Sequence, residues 1–320
     1  MSRIVKLGLM MSAAVLAAVA LAPARPSAPA AGKPGAAGQE PIRIQVNLVN
    51  LFATVRDKKT KKILTGLEQS DFKVSEDNTE QKIASFSRES NLPITLGLLI
   101  DTSGSEEGSL GAEQEAAIRF LNRVMRKGDL AMVISFDSDA DLLAGFTEDH
   151  QILERAVRRS RIAGGGAPGP LGGNSPGTVF YDAVYLACTD KLVQEAGRKA
   201  LVILTDAYDN GSRMRIQDAI EAAQRTDTVV HTLLISNGMV NEGAAKKLTD
   251  ETGGRTIVVR SEKNLEQAFD QISEELRSQY TLGYYSTNSA RDGSFRKVKV
   301  ESTRKDVDVL TRRGYYAPRN

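Results

Sequence analysis

The chain has no tryptophan, only 5% aromatic residues, one cysteine (Cys188) and two histidines (His150 and His231) among its 320 residues. Each scarcity removes a class of explanation. A single cysteine forbids an intramolecular disulfide, so the fold must rest on core burial. Few aromatics and no tryptophan leave little for stacking on carbohydrate. Two histidines, without metal-ligand spacing between them, argue against a histidine-built zinc site or a histidine-based nucleophile pair. The net charge is +2, which announces neither a nucleic-acid surface nor an acidic solvating tail. What remains, 41% hydrophobic and 26% charged residues, is the balance of an ordinary globular protein.

The N-terminus has the layout of a secretory signal peptide. Arg3 and Lys6 are followed by an uncharged run from Leu7 to Ala22 and by small-residue cleavage patterns, of which we take 1–24 as the segment removed. An uncleaved anchor is the alternative. The apolar run falls short of the roughly 20 residues that span a bilayer comfortably, and no other stretch is long and apolar enough. The expectation is an extracytoplasmic protein (periplasmic, cell-surface or secreted) with no membrane span after cleavage. Residues 25–40, rich in Ala, Pro and Gly, read as a linker.

Residues 41–91 carry short alternating segments, such as Ile42, Ile44, Val46 and Leu48, and predict a β-rich piece too small to stand alone. From 92 to 278 the rhythm changes. Nearly continuous apolar runs at 94–100, 130–136 and 200–205 predict strands buried in the sheet, and further strands are expected at 229–235 and 256–259. They alternate with helical patterns at about 111–127, 149–161, 178–196, 214–226, 241–251 and 263–278. Ala140 to Phe146 reads as a short edge strand. That alternation implies an α/β domain with a doubly wound, mostly parallel sheet. Residues 279–320 return to short strands, and the two β-rich pieces are expected to pack together as one sandwich-like domain flanking the α/β unit.

Three short stretches fall at carboxyl ends of predicted strands or on loops leading into helices. They are Asp101-Thr102-Ser103-Gly104-Ser105, Gly177-Thr178, and Thr205-Asp206-Ala207-Tyr208-Asp209. Such ends converge at one rim of a doubly wound sheet. Their hydroxyls and carboxylates suit a hard divalent cation, Mg²⁺ or else Mn²⁺ or Ca²⁺, which takes oxygen ligands and keeps waters. Ser103, Ser105 and Thr178 offer neutral oxygens; Asp101 and Asp206 offer charged ones. A shell of modest charge leaves the metal electrophilic toward a carboxylate from a partner.

Asp-x-Ser-x-Ser with a distal Thr and a distal Asp, in this order and strand context, resembles the metal-ion-dependent adhesion site of von Willebrand factor A-type domains over about 92–278. The leader Gly66-Leu67 to Glu76-Asp77 and the ending Gly314-Tyr315-Tyr316-Ala317-Pro318 are similar to a bacterial group called VWFA-related acidobacterial proteins. The resemblance implies metal-dependent binding of a protein or peptide and no enzyme activity. Two departures stand out: Glu106 and Glu107 occupy a place where the family often has an apolar residue, and Ala207 replaces a common Gly.

Other readings are weaker. Asp137, Asp139, Asp141 and Glu148 have EF-hand spacing, but Leu142 stands where Gly is needed, so a solvated turn is favoured. Gly164 to Gly177 lacks a following Gly-Lys-Ser/Thr and is expected to be a loop delivering Thr178. Asp209 is expected in a turn and Asp182 in a structural role. His231 and Cys188 are expected in the core. A structural envelope protein with a non-essential metal is the main alternative function; a metal-assisted hydrolase is a more distant one, because no second metal cluster is apparent.

Overall fold

A computed structural model of the protein describes residues 48–89, 92–162, 177–235 and 238–319. The signal-peptide, linker and Ile42–Val46 expectations, and all of the glycine-rich loop before Gly177, lie outside the described residues. The chain runs β1 (Leu48–Asp57), β2 (Phe72–Glu76), β3 (Thr79–Gln81), β4 (Ile83–Glu89), β5 (Ile94–Asp101), α1 (Leu110–Val124), β6 (Leu130–Phe136) and β7 (Ala140–Thr147). It continues through α2 (His150–Arg159), α3 (Phe180–Leu186), β8 (Arg198–Thr205), α4 (Ile216–Arg225), β9 (Thr228–Ile235), α5 (Glu242–Thr252), β10 (Thr256–Val259) and α6 (Glu262–Arg277). Four strands close it: β11 (Gln279–Tyr285), β12 (Phe295–Ser302), β13 (Val307–Leu310) and β14 (Gly314–Tyr316).

A six-stranded sheet of order β10-β9-β8-β5-β6-β7 forms the centre. All its pairings are parallel except the edge pair of β6 with β7. Every residue of β5 is buried, because helices cover both faces. Side chains alternate between those faces. Leu96, Leu98 and Ile100 join one core with α1, α2 and α6, while Leu99 joins a second with α3, α4 and α5. Gly97 points into the second core, where a Cβ would stand 2.4 Å from Leu201 and 2.8 Å from Met132. Any larger residue there would force the ends of those two side chains to shift.

One helix departs from expectation. The sequence predicts a helix over 178–196, but α3 ends at Leu186 and continues as a π turn, Ala187–Lys191, and a 3-10 turn, Leu192–Gln194. The Thr189 hydroxyl donates to the Tyr185 carbonyl at 2.9 Å, competing with the backbone ladder at that point. The widened turn keeps Ala187, Cys188 and Leu192 in the core.

Strands from the two ends of the chain pair with each other. They build two antiparallel sheets, β13-β1-β11-β4 and β14-β12-β2-β3, around a shared apolar cluster that includes Leu51, Val74, Tyr280, Leu282 and Val300. The phenols of Tyr284 and Tyr315 and the Ser286 hydroxyl all donate to the buried Glu76 carboxylate, at 2.7, 2.9 and 2.6 Å.

Candidate metal centre

In the central sheet β5 lies between β6 and β8, so the connections leave it in opposite directions. That reversal opens a crevice at the carboxyl ends of β5 and β8. Asp101 is the last residue of β5, and Asp206 follows the last residue of β8.

Both carboxylates are held by short loops. Asp101 Oδ1 accepts the Ser103 N–H at 2.9 Å and Oδ2 accepts the Thr205 hydroxyl at 2.6 Å. Asp206 Oδ1 accepts the Tyr208 N–H at 2.9 Å. Ala207, between them, has φ 60, the left-handed conformation that a glycine adopts without strain. It is held there by its N–H bond to the Thr205 hydroxyl at 2.9 Å. The Ser103 and Ser105 hydroxyls lie 3.0 Å apart, on a 3-10 turn Gly104–Glu106.

Thr178 is tied to the same rim through its backbone. Its N–H donates to Asn210 Oδ1 at 2.6 Å, and its carbonyl accepts from the Asn210 and Gly211 N–H groups at 3.2 and 3.1 Å. The next residue, Val179, donates its N–H to the Asp137 carbonyl at 2.6 Å. Gly177 and Gly211 make the approach possible, since a Cβ on either would fall within 2.8 Å of the other loop. Thr178 therefore stands beside the loop that follows Asp206.

The sequence reasoning did not assign Glu106 to this site. Of the two adjacent glutamates, Glu107 is exposed and Glu106 is fully buried. Carboxylate oxygens of Asp101, Glu106 and Asp206 all lie within 4.8 Å of one another, the one such acidic group among the described residues. Behind them Glu113 is also buried. The signal was present: Leu110, Glu113, Ala117 and Leu121 form one helical stripe, and the glutamate interrupts an otherwise apolar face.

Burial drives the electrostatics. It pushes the Asp101 carboxyl up to about 6, against the hydrogen bonds from Ser103 and Thr205, with Asp206 adding to the rise. Glu106 is pushed up to about 9, first by burial and then by Glu113, Asp101 and Asp206. Glu113 reaches about 7 through burial. Like-charged neighbours without a cation between them favour the protonated forms.

A hard divalent ion fits these residues. Three buried carboxylates converge, Glu106 Oε1 has no hydrogen-bond partner, and two hydroxyls lie alongside. An oxygen-only donor set of this kind matches Mg²⁺, Mn²⁺ or Ca²⁺ better than softer metals.

The remaining candidates have structural roles. Asp209 accepts from the Tyr181 N–H and the Ser212 hydroxyl, and Asp182 from the Arg213 and Met214 N–H groups, so the pair staples α3 to the loop after β8. Asp137 closes its own turn by accepting from Asp139 N–H at 3.1 Å, and Glu148 accepts from Gly128 N–H. His231 is buried in β9 and its imidazolium is disfavoured, down to about 3, by burial and then by Arg255. Burial pushes the Cys188 thiol up to about 12, which leaves it unreactive.

Comparison with known proteins finds similarity over the same part of the chain. The family described as von Willebrand factor type A domain matches residues 96–208, a span that contains Asp101, Ser103, Ser105, Thr178 and Asp206. A curated relative, calcium-activated chloride channel regulator 1 from Bos taurus, is 26% identical over 181 residues, 55% of this chain. The match spans only 18% of that relative's length. Among solved structures, von Willebrand factor type A from Catenulispora acidiphila aligns with TM-score 0.51 and 12% identity, over 80% of this chain and 75% of that one. Proximal thread matrix protein 1 from the mussel byssus, whose metal-ion-dependent adhesion motif is described as zinc-occupied, aligns with TM-score 0.51 and 11% identity, over 63% and 49%. The α/β unit thus has a von Willebrand factor A-like fold. Among the described residues no helix is long and apolar enough to cross a membrane.

Proposed function

We propose that the protein is an exported binding protein, not an enzyme, that captures a protein or peptide partner through a divalent metal at this rim. Asp101, Ser103, Ser105, Thr178 and Asp206 are the assigned ligands of an intact metal-ion-dependent adhesion site, and a carboxylate of the partner completes the shell. The observation that carries the reading is the convergence of the Asp101 and Asp206 carboxylates at the sheet's switch point, with the Ser103–Ser105 hydroxyl pair on the turn that Asp101 anchors. The zinc-occupied site of the byssus protein supports metal binding by this fold. The resemblance of the leader and ending residues supports a kinship with the acidobacterial group named above, and the uncharged run behind Arg3 and Lys6 supports a periplasmic, cell-surface or secreted location.

The metal, when bound, supplies a Lewis-acidic position for an anionic oxygen. The chain's own residues do the rest. Ser103 and Tyr208 N–H groups and the Thr205 hydroxyl fix the two aspartates before any ion arrives, so little reorganisation opposes binding. Calorimetric titration with Mg²⁺ and Mn²⁺ tests the assignment. Wild type should take up metal, and Asp101→Ala should lose that affinity by at least tenfold; equal affinity in the two would sink it. A pull-down from envelope extract with and without EDTA then tests the partner. A partner retained equally well in chelator would favour the structural alternative.

A further inference from the structure

We infer that the protein holds a second hard divalent cation, between the carboxylates of Glu106 and Glu113, reached through a cleft on the α6 side of the rim. This position adjoins the metal centre proposed above and rests on that reading: it shares Glu106 with the acidic group there and adds Glu113, which is not among the assigned ligands.

Glu106 lies in the 3-10 turn and Glu113 in the first turn of α1. Ser109 links the two: its hydroxyl donates to Glu106 Oε2 at 3.1 Å, and its carbonyl accepts the Glu113 N–H at 3.0 Å. Glu106 is 0% exposed and Glu113 1%. Neither Glu113 oxygen, nor Glu106 Oε1, has a donor in hydrogen-bonding geometry. Glu106 Oε2 has only the Ser109 hydroxyl, at 3.1 Å. Three buried, unpartnered carboxylate oxygens in one place are costly unless something positive meets them.

Glu113 is not sealed in. It lines a cleft of about 190 Å³ formed by Ser109 and Ala112 of the α1 segment, Ile235 and Val259 at the ends of β9 and β10, and Arg260 and Glu262 before and within α6. The space admits an ion with its waters. It does not expose the carboxylates to a large ligand, because both side chains stay within the interior. Calcium-like and manganese-like ions accept two carboxylates, a hydroxyl and several waters at irregular angles. Ser109 Oγ stands where it can join them.

Charge counting points the same way. Asp101, Asp206, Glu106 and Glu113 are four buried carboxylates at this one rim. One divalent ion at the Asp101–Asp206 position leaves two negative charges. A second at Glu106–Glu113 balances the set. The competing ways to neutralise Glu113 are a proton and Arg260, exposed at the mouth of the cleft, swinging inward.

The test is metal stoichiometry on the full chain, stripped of metal and titrated with Mn²⁺ and with Ca²⁺ by calorimetry. Wild type should bind two equivalents. Glu113→Gln should bind one, and Asp206→Asn should lose the other. One equivalent in wild type, lost in Asp206→Asn and kept in Glu113→Gln, overturns the second position and leaves the proposed function standing. One equivalent lost in Glu113→Gln but kept in Asp206→Asn supports this position and removes the other. No uptake at all overturns both. Should Glu113→Gln fail to fold, anomalous diffraction from Mn²⁺-soaked wild-type crystals decides: a peak beside Glu113 supports the site, and its absence overturns it.

Discussion

The two rims of the central sheet bury the same kind of charge and treat it in opposite ways. At the amino-terminal rim Asp129 accepts the Ile94 and Arg126 N–H groups, at 2.8 and 2.6 Å, and pairs with Arg277. Arg198, also buried there, donates to Gln279 Oε1 at 2.8 Å and to the Leu276 carbonyl. Charge at that end is answered within the chain. At the carboxyl-terminal rim the charged groups acting most strongly on Asp101, Glu106 and Glu113 are other carboxylates, not Lys or Arg. The β sheets offer a third solution, in which three hydroxyls satisfy Glu76. A buried carboxylate is thus a structural part where the chain supplies its partners, and is left uncompensated by the chain where it does not.

The contrast breaks first at Asp129. Removing one member of a compensated buried pair leaves an arginine unmatched, which costs about 3–5 kcal/mol. Asp129→Ala should therefore lower unfolding stability by that much in urea denaturation, with or without metal. A loss below about 1 kcal/mol would show that the amino-terminal rim is not what holds that end together.

Glu106→Gln should act in the opposite direction. In EDTA it removes a carboxyl that folding must bury and protonate, and metal-free stability at neutral pH should rise by about 1–2 kcal/mol, the scale of one unfavourably buried group partly relaxed. The gain in melting temperature on adding Mn²⁺ should shrink in the same variant. If Glu106→Gln destabilises the metal-free protein as Asp129→Ala does, the two rims are alike and the comparison fails.

The pH dependence sharpens the same point. Asp101, Glu106 and Glu113 have folded-state values raised to about 6, 9 and 7, above their ordinary 3.8 and 4.5. A raised value means that the folded protein binds the proton more tightly than the unfolded chain. That contribution to stability is complete below about pH 4 and is lost as pH rises through 6 to 9. Metal replaces protons, so its stabilising effect should grow over the same window. Thermal melts in EDTA and in Mn²⁺ should diverge from pH 6 to pH 9; parallel curves would mean that the cluster does not hold the metal.

Most of this architecture is written in apolar periodicity. The runs at 94–100, 130–136 and 200–205 are unbroken because helices cover both faces of those strands, and the observed strands fall on them. Asp101 and Asp206 are legible because an acid placed directly after such a run must lie at the rim. Glu106 and Glu113 were harder to read. Two adjacent glutamates give no clue which one turns inward, since the choice depends on how the 3-10 turn enters α1. The broken helix after Leu186 was also hidden, because it depends on a threonine hydroxyl reaching back to Tyr185 rather than on any breaker residue. Parallel pairing gives way only at β7, whose exposed Asp141 and Leu142 mark an edge.

Ala207 yields the smallest effect and separates geometry from charge at the carboxyl-terminal rim. Its φ of 60 costs a non-glycine residue about 1–2 kcal/mol, so Ala207→Gly relieves strain. The methyl is fully buried, and removing it gives back about 0.8 kcal/mol of apolar burial. Glycine also loses about 0.5–1 kcal/mol through the greater freedom of its unfolded chain. These terms nearly cancel, and the variant should lie within about 0.5 kcal/mol of wild type in stability. Metal affinity should stay within about threefold, because the Thr205 hydroxyl and Tyr208 N–H still hold Asp101 and Asp206. A large loss of metal affinity in Ala207→Gly would show that the left-handed residue itself, and not those hydrogen bonds, aims the Asp206 carboxylate.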